Sequence, residues 1–547
     1  MSPSGLGRLV ILPLEVLAEI ALKTGCDIRI LNRLFKRLFD EANTTLNIIG
    51  PSNSSHPPNI GRYIAKVIED SKSLVSITVK HYGLSTLLCF APSLARLQDL
   101  THLDISCNNI GPQGVTDDLA SALMALTSLQ SLNLGGNDLT STGVTALTPV
   151  LTRLIKLQTL GLSRNSLYEE GTASLQPLFG AMPGLQSLSL TGNGIRSAGA
   201  PSLAASLMTL SGLKALDLSR IGIRGDGIAL LAPVFKSLTG LRTLKLGMNF
   251  VGSAAEPLAP SLAALTEMET LDLSTIHIEQ ADAASLASSL ATMVNLHTLE
   301  FSTNPLGPDG ATLLASSLTS HTKLHTLNLL AAHFGSAGAA SLAPSLRAHT
   351  NMHTLNLGCN DFGSAGAASL APSLRALTNL HTLNFAHNDF GSAGAASLEP
   401  SLGALTNLHT LDFAGNDFGS AGAASLAPSL RALLNLHTLD FAGNNFGSAG
   451  AASLAPSLRA LTNLHTLNFG QNDFGSAGAA SLAPSLRALT NLHTLNLGDN
   501  NFGSAGAASL APTLSALTNL RTLNVFGNSI GGTGMALFKP IFLALGM

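Results

Sequence analysis

At 547 residues the chain is far longer than the size at which one round hydrophobic core keeps growing, so its core must be divided or extended. Only 11% of its residues are charged and the formal net charge is −3, which removes the electrostatic case for nucleic acid or an anionic membrane as partner. The four cysteines, Cys26, Cys89, Cys107 and Cys359, have neither metal nor disulfide-framework spacing and read as free thiols in a reducing compartment.

The first apolar stretch runs from Leu9 to Leu22. Glu15 and Glu19 interrupt it, it is too short to cross a bilayer, and no signal-peptide cleavage site follows. A soluble, cytoplasmic protein is expected, with the nucleus not excluded. Asn43 and Asn53 fit the glycosylation acceptor pattern, which carries no weight without a secretion signal. Leu12 to Ile20 begins a helix with Pro13 near its start. After a turn at Lys23-Thr24-Gly25, Asp27 is placed to cap a second amphipathic stretch through Ile28, Leu31, Leu34, Phe35 and Leu38. Residues 1–49 therefore read as a helical module, and 50–60, with serine, asparagine and three prolines, as a linker.

The module resembles an F-box, whose opening Leu-Pro-x-Glu-hydrophobic-Leu is present at Leu12, Pro13, Leu14, Glu15, Val16 and Leu17, and whose later element matches Leu34-Phe35-Lys36-Arg37-Leu38. The resemblance implies docking to a Skp1-type adaptor through Leu12, Pro13, Leu14, Leu17, Ile20, Leu31, Leu34, Phe35 and Leu38. The chain departs from the family pattern in having no tryptophan and in carrying Arg29 and Arg33 where apolar residues are usual. A plain helical cap over the end of the following domain is the other reading.

Residues 61–99 read as a degenerate capping repeat around Leu74–Leu84, and 100–547 as a repeat domain. GSAGAASL occurs seven times from Gly335 to Gly503 at a constant interval of 28 residues, the mark of a solenoid. In one clean repeat, Leu380-His-Thr-Leu383-Asn-Phe385-Ala-His-Asn388-Asp-Phe390, Leu383 and Phe385 alternate with Thr382 and Asn384, which predicts a short strand with one buried face. Gly391-Ser-Ala-Gly394 is expected to be a turn, and Ala395, Leu398, Leu402 and Leu405 then recur at helical spacing. The fold class is α/β, a stack of about 16 strand-turn-helix units.

The pattern LxxLxLxxNxL resembles the leucine-rich repeat family, in its 28-residue class typified by ribonuclease inhibitor. That resemblance implies a right-handed horseshoe with parallel strands on the concave face, helices on the convex face, and a buried asparagine ladder. The asparagine column runs Asn108, Asn137, Asn165, Asn193, Asn249, Asn304, Asn360, Asn388, Asn416, Asn444, Asn472, Asn500 and Asn528, and Ile221, Ile276 and Ala332 break it, where reshaped turns are expected. Prolines from Pro344 to Pro512 fall inside the helical stripe, so each helix is expected either to start late or to kink, with the ring of Pro400 turned to solvent. The segment Met535 to Met547 is apolar and no polar cap follows it, which raises self-association through that end.

A histidine column, His297, His325, His353, His381, His409, His437, His465 and His493, reads as a neutral polar ladder, because no acidic residue recurs beside it to orient a metal ligand. Arg347, Arg375, Arg431, Arg459 and Arg487 read as a solvated helix face. No phosphate-binding loop and no local catalytic set occurs, so a non-enzymatic protein without cofactor or metal is expected. The outward strand positions are uniform Thr, Asn and Asp late in the chain and vary most in the middle. Specific recognition needs distinct anchors, so Arg164, Asp217, Arg220, Lys245, Met248, Asp272 and Glu300 are the candidate partner-binding residues of the concave face. Three functional readings follow. The sharpest is the substrate-recruiting subunit of a Skp1–cullin ubiquitin ligase. A general scaffold with a capped end is the second. The third resembles the leucine-rich-repeat GTPase activator of Ran, against which the apolar rather than acidic C-terminal segment counts.

Overall fold

The computed structural model describes residues 45–49, 60–71, 74–115, 117–252 and 255–546. They fall into two compact units, Met1–Phe250 and Val251–Met547. In the first unit eight parallel strands follow one another: β1 Thr45–Ile49, β2 Ser76–Lys80, β3 His102–Asp104, β4 Ser131–Asn133, β5 Thr159–Gly161, β6 Ser187–Ser189, β7 Ala215–Asp217 and β8 Thr243–Lys245. In the second unit ten more run from β9 Thr270–Asp272 and β10 Thr298–Glu300 to β18 Thr522–Asn524. Within each unit helices alternate with the strands, which gives the α/β solenoid that the 28-residue period predicts.

The repeat built on strand Thr382–Asn384 shows how the sequence makes a layer. Leu383 turns inward, and Thr382 and Asn384 turn outward and stay half-exposed. Leu380, Leu383, Phe385, Phe390, Ala395, Leu398, Leu402, Leu405 and Leu408 are all fully buried. Phe385 meets Phe390 edge-on at 5.4 Å and stacks on Phe413 of the next repeat at 6.0 Å, so the same rings close the layer and join it to its neighbour.

Asparagine holds the turns. The Nδ2 of Asn388 donates to the carbonyls of Leu357 at 2.9 Å and Phe385 at 3.0 Å, and the N–H of Asn388 donates to Oδ1 of Asn416 at 3.1 Å. Every asparagine of the column is buried, as the register requires. A second row at the loop before each strand is not apparent in the sequence pattern. There Asn379 donates to the Thr350 carbonyl, Asn407 to Thr378 and Asn491 to Thr462, at 2.9 to 3.0 Å.

Four expectations are corrected. First, GSAG is not a turn before the helix: the helix is Gly391–Leu402, and GSAG is its first turn. Gly391 takes φ +58°, but Gly394 is glycine for a different reason, since a Cβ there would lie 2.8 Å from Cβ of Phe390 and 3.2 Å from Cβ of Ala367. Second, the helices do not start late. Pro400 occupies the last turn, exposed as expected, and the carbonyl its missing N–H frees belongs to Ala396, which is itself exposed to water. Third, a break in the asparagine column need not reshape the turn. Around Ile276 a 3₁₀ turn Gln280–Asp282 precedes a shortened helix Ala283–Leu290. Around Ala332 the helix is an ordinary Gly335–Leu346, because Ala332 still donates its N–H to Asn360 Oδ1 at 3.1 Å.

The fourth correction concerns the beginning of the stack. β1 lies within the 1–49 segment read as helical, and the helix Ile60–Asp70 starts at the end of the 50–60 linker. β1 pairs with β2 from Thr45↔Ser76 to Ile49↔Lys80, so the solenoid begins before residue 61. Leu46 and Ile48 point inward with the alternation of a strand, but the segment lacks the LxxLxLxxN pattern that marks later units.

Candidate functional site

Each three-residue strand buries only its central side chain, so its outer two residues and the turn that follows form an accessible strand face. In the first unit this face holds a concavity of about 500 Å³ lined by Thr78, His102, Asp104, Asn133, Gly161 and Ser189, among others. Gly161 opens its floor: a Cβ there would lie 2.6 Å from Oδ1 of Asn133. The lining is rich in hydroxyl and amide groups. Burial raises the Asp104 carboxyl, but the Lys80 ammonium at 2.8 Å and the hydroxyl and N–H of Ser106 outweigh it, so the group is held below the usual carboxylate range. Reading the strand face for charged anchors alone passes over this region. The run of outward small residues, Ser131, Thr159, Gly161, Ser187 and Ser189, is the signal that marks it.

The candidate residues divide between the two units. In the first, Arg164, Arg220 and Met248 are exposed, and Asp217 and Lys245 are half-buried register partners on β7 and β8. In the second, Asp272 and Glu300 are register partners on β9 and β10. Asp272 accepts the N–H and hydroxyl of Ser274, so that carboxylate also serves its own turn. Farther along, Asp412 and Asp440 are register partners; burial raises the Asp412 carboxyl, the N–H of Ala414 opposes this, and Asp440 adds to it.

The histidine column forms a continuous stack. Rings from His297 to His493 lie 5.0 to 5.5 Å apart with interplanar angles of 7° to 25°. Parallel rings present their nitrogens side by side rather than converging on one ion, and among the described residues no group of three or more His, Cys, Asp or Glu side chains is placed to hold a metal. Two other histidines, His321 and His349, are fully buried at the position where later repeats have Leu377 and Leu405. Burial depresses His321, against the opposing bond of its Nε2 to the Leu290 carbonyl at 2.9 Å. His349 is pushed down to about 4, first by burial and then by His321.

Arg347, Arg375, Arg431, Arg459 and Arg487 are exposed at the ends of their helices. The last helix, Gly531–Ala544, leaves Met535, Leu537 and Leu543 exposed beside a concavity of about 430 Å³. No described helix is long and apolar enough to cross a membrane. Leu12, Pro13, Leu14, Leu17, Ile20, Leu31, Leu34, Phe35 and Leu38 lie outside the described residues.

A family model described as Leucine Rich repeat matches ten segments, 96–117, 125–147, 183–204, 348–371, 376–398, 404–427, 432–455, 460–483, 488–511 and 516–538. Together with the strand-turn-helix stack, these repeats make the chain a leucine-rich repeat protein. Among solved structures, an internalin from Listeria monocytogenes is similar at 22% identity over 73% of this chain and 92% of that one, with a TM-score of 0.41. No curated protein matches the chain.

Proposed function

We propose that this protein is a non-enzymatic scaffold of the 28-residue, ribonuclease-inhibitor-like class that holds a protein partner on its strand face. The open face carries this reading. In the second unit ten strands about 4.8 Å apart present outward Thr, Asn, Asp and Glu side chains over roughly 40 Å, the scale of a small folded domain, while every central strand leucine is buried. Cross-linking of the full chain in cell extract tests it. Ser189→Trp with Asn384→Trp, which obstructs the strand face of each unit, should remove the captured partner, and Arg375→Trp on the helix side should not. Capture unaffected by the strand-face pair would refute the reading.

The finer role is recruitment of that partner to a Skp1–cullin ubiquitin ligase through the F-box-like residues Leu12–Leu17 and Leu34–Leu38. The motif match supports it. A pull-down with a Skp1-type adaptor should succeed with the wild-type chain and fail with Leu14→Asp plus Leu17→Asp. Absence of wild-type binding would remove the ligase role and leave the scaffold.

A further inference from the structure

We infer that the turns leaving strands β5 to β8 form an arginine-rich docking rim for an acidic protein segment that also carries apolar side chains. The inference rests on the scaffold reading and names the chemistry of its partner.

The charge is local. Residues 151–250 contain ten lysines and arginines against four aspartates and glutamates, in a chain whose totals are 29 and 32. Four of these cations, Arg164, Arg196, Arg220 and Arg224, are exposed in the turns on one side of the strands. The backbone places them in rows. Arg164 N–H donates to Thr191 O, Gly192 N–H to Ser219 O, and Arg220 N–H to Gly247 O, so Arg164, Gly192, Arg220 and Met248 occupy successive rungs. Glycine makes room between the arginines. A Cβ on Gly192 would lie 3.1 Å from Cγ of Arg164, and one on Gly222 would lie 3.6 Å from Cγ of Arg196, so each arginine stem lies over the glycine of the next rung.

The backbone does not favour these side chains. Arg164, Arg196, Arg220 and Met248 have φ of +52°, +57°, +56° and +58°, a region L residues rarely adopt. The rung that holds Arg164, Arg220 and Met248 is glycine at Gly136, Gly192, Gly415, Gly443 and Gly527, also at positive φ. Positive φ belongs to this rung throughout the stack, where Cys107, Thr303, His387 and Gln471 share it, so charge and reach set the arginines apart, and glycine in their place suits the backbone.

Apolar groups lie among the cations. Tyr168 is 47% exposed and packs near Gly194, Met248 is 51% exposed on the rung after Arg220, and Phe250 is 55% exposed and bridges to Arg224. Arginine, tyrosine, phenylalanine and methionine are the residue types enriched at protein interfaces. Carboxylates are interspersed: Glu169 lies 4.0 Å from Arg196, Asp217 ends β7, and Asp226 lies in the first turn of the helix Gly225–Ser237. They would repel an unbroken phosphate backbone but leave gaps for discrete carboxylates, so a protein segment fits better than a nucleic acid.

The test uses the full chain and fluorescence anisotropy with a labelled 16-residue peptide of four Glu-Glu-Leu-Phe repeats, its Gln-Gln-Leu-Phe counterpart, and a 20-nucleotide single-stranded DNA. The acidic peptide should bind at least tenfold more tightly than the glutamine peptide, and more weakly as salt rises. Arg164→Gly with Arg220→Gly should weaken it at least tenfold while leaving thermal stability unchanged or raised, because glycine suits both backbones. Arg375→Gly with Arg431→Gly on the helix side removes equal charge and should change binding by less than twofold. Equal binding of the two peptides, no acidic-peptide binding, equal loss from the helix-side pair, or DNA binding as tight with the same arginine dependence would each overturn the inference. A cross-linked partner that survives Arg164→Gly with Arg220→Gly but is lost with the strand-face tryptophans would overturn it and leave the scaffold standing; a partner insensitive to the tryptophans would refute the scaffold itself.

Discussion

Asn360 and Asn388, one repeat apart, donate their side-chain N–H groups to the same carbonyl oxygen, that of Leu357, at 3.1 and 2.9 Å. Each turn carbonyl in the uniform repeats is thus held twice, once by its own asparagine and once by the next. The redundancy explains why Ala332 is tolerated. The Leu329 carbonyl keeps its bond from Asn360 at 2.8 Å, and the Phe301 carbonyl keeps its bond from Asn304 at 3.1 Å.

It also sets a prediction. Asn388→Ala removes one of two donors to Leu357 and the Oδ1 acceptor of the Asn360 N–H, and should lower local stability by about 1–3 kcal/mol. Asn360→Ala combined with Asn388→Ala leaves the Leu357 carbonyl buried without either side-chain donor, so the pair should cost more than the sum of the singles. Hydrogen exchange at the turn amides measures this directly, repeat by repeat. Additive losses would show that the shared carbonyl is unimportant.

A second prediction concerns the repeated motif. Glycine inside a helix normally costs about 1 kcal/mol relative to alanine, so Gly394→Ala would be stabilising if propensity alone decided. Its new Cβ would instead meet Cβ of Phe390 at 2.8 Å and Cβ of Ala367 at 3.2 Å, and neither is the end of a flexible chain. The substitution should therefore destabilise by about 1–3 kcal/mol, as overpacking does. Ser392→Ala in the same helix turn is exposed and should stay within about 0.5 kcal/mol of wild type. Urea unfolding of the two variants beside the wild-type chain separates packing from propensity.

Much of this fold is legible because its signals are one-dimensional. The 28-residue interval, the inward leucines and the asparagine column each repeat along the chain, and a proline two residues from both Leu398 and Leu402 can only point outward. What escapes the sequence depends on neighbours that are remote in it. Gly394 looks like a turn residue until Ala367 of the preceding helix is seen beside it. β1 lacks the repeat pattern and is recognisable only through its pairing with β2. For the candidate site, variation among outward residues singles out Arg164, Arg220 and Met248, but not Arg196 and Arg224. Those two lie later in their turns, outside the strand column, and join the others only once the turns stack.

The two buried histidines give the last prediction. His349 stands where Leu377 and Leu405 stand in later repeats and is only 2% exposed, and burial outweighs the opposing contacts of its ring with the His321 and Leu318 carbonyls. Its folded value of about 4 lies below the ordinary histidine value near 6.5 expected when the chain is unfolded. Between those pH values the unfolded chain holds a proton that the folded chain lacks, so stability is full above about pH 6.5 and falls as pH drops toward 4. At about 1.4 kcal/mol per pH unit, His349 accounts for a loss of about 3 kcal/mol across that window. His349→Leu should remove this slope and also add about 1–3 kcal/mol at pH 7.5, because a buried polar ring is replaced by the apolar side chain of the other repeats. Urea midpoints of wild type and variant at pH 7.5, 5.5 and 4.5 measure both effects. The difference between them should widen as the solution is acidified, and a constant difference would mean that His349 does not titrate inside the folded stack.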